Sequence, residues 1–185
     1  MQTQIENLKK SMRRIVTIND ENGRSKIALD GEPESVFSPT GGQGLYNIWS
    51  DKSSGPPDRD EFVDRGKEVL KLLPPDGGFT AKWFILEPPV DGLPADQVRA
   101  MNKAMFGEVG AADAYVVSER DPGMHITPTT DIIVVVNGRL RLILDEDEAV
   151  LEAGSVVIQQ GTSHAWVCAE NEPAMFVAIL VDRRE

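Results

Sequence analysis

The sequence predicts an all-β domain of the sandwich or barrel type, with an N-terminal arm and one or two short helices. Three observations carry that expectation. After Ala111 the chain becomes a string of short apolar runs separated by turn residues, the spacing of a sandwich or barrel. Two of those runs, "DIIVVV" and "RLRLIL", flank Asn137-Gly138, a strong two-residue hairpin signal. Their alternation places Ile133, Val135, Leu140, Leu142 and Leu144 on one apolar face, which should point inward.

In chain order, Ile5, Leu8 and Met12 have helical spacing and predict a short helix over 3–12. "RRIVTI" and "SKIAL", joined by "ENG", read as a hairpin, and "LYNIW" as a strand after the loop "PTGGQG". "KSSGPPDRDE" reads as a flexible surface loop. Phe62, Gly66, Val69, Leu70 and Leu73 predict a helix over 60–72, weakened by Gly66. "FTAKWFILEPP" is a strand stopped by two prolines. A helix over 94–106 follows, with Pro94 in its first turn, Gly107 as its stop, and Val98, Met101, Met105 and Phe106 on a core-facing side. "EAV", "SVVIQQ", "SHAWVCA" and "AMFVAILVD" complete the strand series. The expected division is an extension over 1–77 packing on a barrel over 78–185.

With 185 residues, the chain is long enough for one domain with a core of its own. Its net charge of −11 speaks against nucleic acid, whose phosphates need a basic footprint. Cys168 is the single cysteine, so no internal disulfide is possible. No secretory h-region and no apolar run of membrane-spanning length occurs. The expectation is a cytoplasmic, soluble protein without a membrane or nucleic-acid partner.

The chemistry concentrates in two places. "PGMHITPTTDII" holds His125 and "QQGTSHAW" holds His164, the only two histidines. Asp131 ends the apolar inner face, where an unpaired carboxylate is costly, so it needs a partner. His125, Thr127 and Thr129 share its parity and line the same wall if the segment is extended.

These two stretches resemble the two sequence motifs of the cupin superfamily, the first running to Gly138 and the second from Gly154 to Trp166. The resemblance covers about residues 78–185 and implies a single cupin barrel, a double-stranded β-helix or jelly roll, commonly dimeric. By position, His125 and His164 match two motif histidines and Asp131 the motif glutamate. Thr127 stands where a further histidine belongs, and Gln159 where proline is usual. The "M-H-x-T-x-T-x-D" form is similar to a subgroup of stand-alone cupins, some tied to natural-product or aromatic metabolism.

The resemblance implies His125, Asp131 and His164 as a catalytic set, and as ligands of a divalent metal such as Fe, Mn, Zn or Ni. The alternative is a metal-free polar pocket in which the histidines hydrogen-bond Asp131 or a ligand. Thr127, Thr129, Gln159 and Trp166 are candidate substrate-binding residues, Trp166 by stacking or else as ordinary packing. Cys168 reads as a small buried hydrophobe, Arg139 and Arg141 as a solvated face or dimer seam, and Trp49 and Trp83 as core. The apolar outer face of "DIIVVV" predicts a homodimer in which the N-terminal arm covers the neighbouring barrel. Two functional readings follow: an enzyme acting on an aromatic or carbonyl compound (oxygenase, decarboxylase, dehydratase or isomerase), and a non-catalytic module that binds or senses a small molecule.

Overall fold

The computed structural model describes residues 1–52, 62–90 and 92–184. Its elements, in order, are α1 (Gln2–Ser11), β1 (Arg14–Asn19), β2 (Ser25–Gly31), β3 (Val36–Phe37), β4 (Gly44–Lys52) and β5 (Gly78–Leu86). They continue with α2 (Ala95–Glu108), β6 (Thr129–Asn137), β7 (Arg139–Leu144), β8 (Glu148–Glu152), β9 (Val156–Gln160), β10 (His164–Cys168) and β11 (Ala174–Asp182). The fold is all-β with two helices, as expected. The stretch "KSSGPPDRDE" lies almost wholly outside the described residues.

Six strands form one sheet in the order β3-β4-β5-β11-β6-β9, and three form another in the order β10-β7-β8. β1 and β2 pair separately as a hairpin. The larger sheet therefore takes β3 and β4 from the segment before residue 78.

The expected β6–β7 hairpin is not formed. β6 pairs with β11 on one side and β9 on the other, while β7 pairs with β10 and β8. Both edges of β6 are thus taken by long-range partners, and Asn137-Gly138 turns the chain from one sheet into the other. Gly138 has φ of 75°, and a Cβ there would stand 2.9 Å from atoms of Pro173 and Ala174. Only glycine fits that corner. Face assignment survives this correction, because the pleat alternates whatever the partner strand. Ile133, Val135, Leu140 and Leu142 are buried.

The inner face of the large sheet carries three cross-strand rows. Leu45, Phe84, Phe176 and Val135 form one. Asn47, Lys82, Ala178, Ile133 and Val157 form the next. Ser50, Thr80, Leu180, Asp131 and Gln159 form the third. The interior thus grades from aromatic at one end to polar at the other.

Elements outside the sheets close this interior. Phe106 and Val109, at the end of α2, join the main core with Leu72. On the outer face, Leu8 and Met12 of the N-terminal segment pack on Tyr46, Ile85 and Met175 of the same chain. The N-terminal helix therefore packs on the barrel of its own chain.

Further expectations are corrected. In the described part of 60–72 only a 3-10 turn, Arg65–Lys67, forms. Tertiary bonds capture that turn: Asp64 accepts from Gly66 N at 3.0 Å and pairs with the buried Arg14, and Gly66 O accepts from Asn47 at 3.2 Å. α2 runs past Gly107 to Glu108, and the left-handed glycine beyond it is Gly110, φ 68°. Met101 is exposed rather than core, so only the Phe106 end of the helix is buried. Trp49 and Trp83 are half-buried. Ile143, on the outer side of β7, is buried because Met124 and Ala165 pack there.

Candidate functional site

His164 opens β10, and His125 lies in the extended segment that runs beside it. The two residues exchange both backbone hydrogen bonds, His125 N to His164 O at 2.9 Å and His164 N to His125 O at 3.0 Å. Directly opposed residues of an antiparallel pair project side chains to one face. The ring centroids are 4.1 Å apart. The two histidines, 39 residues apart in sequence, meet.

Each ring is oriented from behind. His125 Nδ1 donates to Gly123 O at 2.9 Å and His164 Nδ1 donates to Thr162 O at 2.8 Å. A carbonyl oxygen only accepts, so each neutral ring carries its proton on Nδ1 and offers Nε2 as an acceptor. Burial, and then the neighbouring His164, push His125 down to about 3. Burial also lowers His164. Both are neutral bases at ordinary pH.

Asp131 is buried on β6 and faces Gln159 across the strand pair. Its Oδ1 and the Gln159 Oε1 both lack a hydrogen-bond partner in the protein. Burial pushes the Asp131 carboxyl up to about 6, with Thr129 opposing in part. Thr127 and Thr129, both buried, bond to each other through their hydroxyls at 2.7 Å. Gln159 donates to the Thr162 hydroxyl. Thr162, which the sequence reading passed over, therefore holds both Gln159 and His164. An open depression of about 510 Å³, lined by Thr127, Thr129, Gln160, Gly161 and Arg183 among others, abuts this end.

Trp166 follows on the same face of β10, its ring centroid 6.1 Å from His164 and 5.6 Å from Phe176. Phe176 stacks on Phe84 at 4.7 Å. Phe106 closes the other side, 4.8 Å from His125. A continuous row of rings thus runs through the interior, with the histidine pair inside it. Cys168 is buried, and burial raises its thiol to about 11, so it is an inert core residue. Arg139 pairs with Glu152 and Glu170 on the surface.

The expected ligand set does not assemble. Among the described residues no three His, Cys, Asp or Glu side chains group closely enough to hold an ion. The two imidazoles are suitable donors, their outer nitrogens fixed on carbonyls. Asp131 does not join them, and a three-ligand metal centre needs that third donor. The residues as arranged do not fit such a metal.

Two further residues were missed in the sequence. Lys82 and Asn47 are buried on the inner wall and bonded to each other at 3.0 Å. Position 82 is inward by the alternation of "FTAKWFIL", and that alternation was the available signal.

Residues 114–180 match the family model described as "Cupin domain". That part of the chain is cupin-like. The matched span runs from the segment that bridges to His125 into β11, so it contains the histidine pair, Asp131 and Gln159. Two curated proteins of Diaporthe leptostromiformis, the phomopsin biosynthesis cluster proteins C′ and D, are each 43% identical over 44 residues. That stretch is 23% of this chain and 23% of each relative, so the chain spans about a quarter of their length. A Cupin 2 conserved barrel domain protein from Salinispora arenicola is similar in structure, with TM-score 0.40, 14% identity and 76% of each chain covered. An HTH_3 family transcriptional regulator from Vibrio cholerae has TM-score 0.40 and 12% identity, covering 77% of this chain and 52% of that chain. Among the described residues, no helix is long and apolar enough to cross a membrane.

Proposed function

We propose that this chain is an enzyme acting on a small aromatic or carbonyl-containing molecule held inside the barrel. The observation that carries the reading is the histidine pair, two neutral imidazoles at 4.1 Å whose Nε2 lone pairs meet no N–H or O–H donor among the described residues. A ligand hydroxyl offered to that pair would donate a hydrogen bond to Nε2, which fixes its position, while a ring held down to about 3 stays a hydrogen-bond acceptor and does not take the proton outright. The half-buried Trp166, beside His164, offers a ring on which an aromatic ligand could pack. Asp131 and Gln159 present two buried acceptors that a second ligand donor would satisfy. With a carboxyl pushed up to about 6, Asp131 also serves as proton donor in mildly acidic solution. Thr127 and Thr129 line the open depression at the polar end. The relatives named for a biosynthesis cluster agree with a small-molecule substrate.

The incomplete ligand set favours a second reading, a binding or sensing module that uses the same pocket without chemistry. A panel of phenols and aromatic aldehydes, followed by Trp fluorescence and by product analysis, separates the two. Turnover that falls at least a hundredfold in His164→Ala supports the enzyme. Saturable binding with no product supports the module, and no quenching by any compound removes both. Elemental analysis after purification without chelator tests the metal expectation, with less than 0.1 equivalent of Fe, Mn, Zn or Ni expected.

A further inference from the structure

We infer that Lys82 is a carbonyl-condensing amine inside the barrel, placed to form an imine with an aldehyde or ketone group of the ligand. The inference rests on the proposed interior ligand and names the group that would react with it.

Lys82 is 1% exposed and shares the inward face of β5 with Thr80 and Phe84. Its Nζ donates to Asn47 Oδ1 at 3.0 Å and to the Thr80 hydroxyl. Both acceptors are fixed in turn. Asn47 Nδ2 donates to Gly66 O at 3.2 Å, and the Thr80 hydroxyl donates to Trp49 O at 3.2 Å and meets the Ser50 hydroxyl at 2.6 Å. Among the described residues no carboxylate pairs with Lys82. A structural buried lysine is ordinarily paired with an acid, because an unpaired ammonium is costly to bury.

The hydrogen-bond count selects the neutral amine. An ammonium has three N–H donors and would leave one without an acceptor. A neutral amine has two, and both are used, so its lone pair is left over. Burial pushes Lys82 down to about 7. The cross-strand neighbour toward the centre of the sheet is Ala178, the smallest side chain of that row. The charged groups set around it are Asp131, two strands away on β6, and the Arg14–Asp64 pair at the Gly66 turn. β11 presents only Ala178 and Leu180 there.

The step needs no oxidant. The Nζ lone pair attacks the carbonyl carbon, and the C=O π pair moves to oxygen. A proton passes from nitrogen to that oxygen, giving a carbinolamine. The C–O bond then breaks, water leaves with the second nitrogen proton, and the C=N bond forms. A neutral, desolvated lysine is the nucleophile such chemistry requires.

The test uses the full chain at pH 7 with 4-hydroxybenzaldehyde as probe and sodium cyanoborohydride as trap, adducts being mapped by peptide mass spectrometry. The chain has eight lysines, and the Met1 α-amine serves as internal control. Lys82 should be modified at least tenfold more than any other lysine, and that preference should shrink by pH 10. Before reduction, an imine absorption band should appear in the wild type and be absent in Lys82→Met with a retained cooperative melt. Adducts confined to Met1 and other lysines, with Trp fluorescence still quenched by the probe, overturn the imine and leave the binding reading standing. Neither quenching nor a Lys82 adduct overturns both.

Discussion

At the scale of single residues, the interior holds two ionisable groups whose ordinary charge the fold resists. Lys82 is held at about 7 against an ordinary value of 10.5. The folded state therefore binds fewer protons than the unfolded chain between those values, and stability should rise with pH across that window. Lys82→Met removes the penalty. Chemical denaturation should show the variant more stable than wild type by a few kcal/mol near pH 7, on the order expected for a shift of this size, with the gain shrinking toward pH 10. Asp131 has the opposite dependence. Its carboxyl, raised to about 6, is favoured protonated in the fold, so stability should fall as pH rises from about 4 through 6. Asp131→Asn should match wild type at pH 4 and exceed it by about 2 kcal/mol at pH 8. A wild type that loses no stability over that range would remove the claim that burial raises this carboxyl.

At the scale of elements, long-range bonds override local preference in two places. The stretch around Gly66 has helical spacing, yet Arg14 of β1 and Asn47 of β4 claim its polar groups. A Cβ at Gly66 would stand only 2.1 Å from Arg14 Nη1, so the turn is built around that guanidinium. Asp64→Ala leaves Arg14 buried and unpaired, and should cost about 3–5 kcal/mol in urea unfolding. A loss below about 1 kcal/mol would show the pair to be solvated. The corner at Asn137-Gly138 is the second place. The turn chemistry was legible in two residues. The partners of β6 were not, because β11 and β9 lie far along the chain.

At the scale of the molecule, the outer face of β6 and β9 remains apolar and open. Ile132, Val136, Val156 and Ile158 are 38–57% exposed. α1 covers only the Tyr46–Ile85–Met175 end of that sheet. The β1–β2 hairpin carries exposed Ile15 and Ile27 of its own. The homodimer expected from the sequence would join such surfaces, each hairpin or β9 edge meeting the other barrel. Size-exclusion chromatography with light scattering should give twice the 20.3 kDa chain mass, and Val156→Lys with Ile158→Lys should give the monomer with an unchanged melting temperature. A monomeric wild type at micromolar concentration would leave the patch without this explanation.

By itself the sequence determined the strand series, the inward faces of β6 and β7, and the presence of both histidine motifs. All of these follow from local periodicity or from residue types at fixed spacing. Tertiary structure alone decided which strands pair, that His125 and His164 lie on facing backbones, and that Asp131 stands with Gln159 instead of with them. It also decided that Lys82 is enclosed with Asn47 and Thr80. Pairing and enclosure are properties of distant segments brought together. Their energies depend on burial and partner geometry, which no window of neighbouring residues contains.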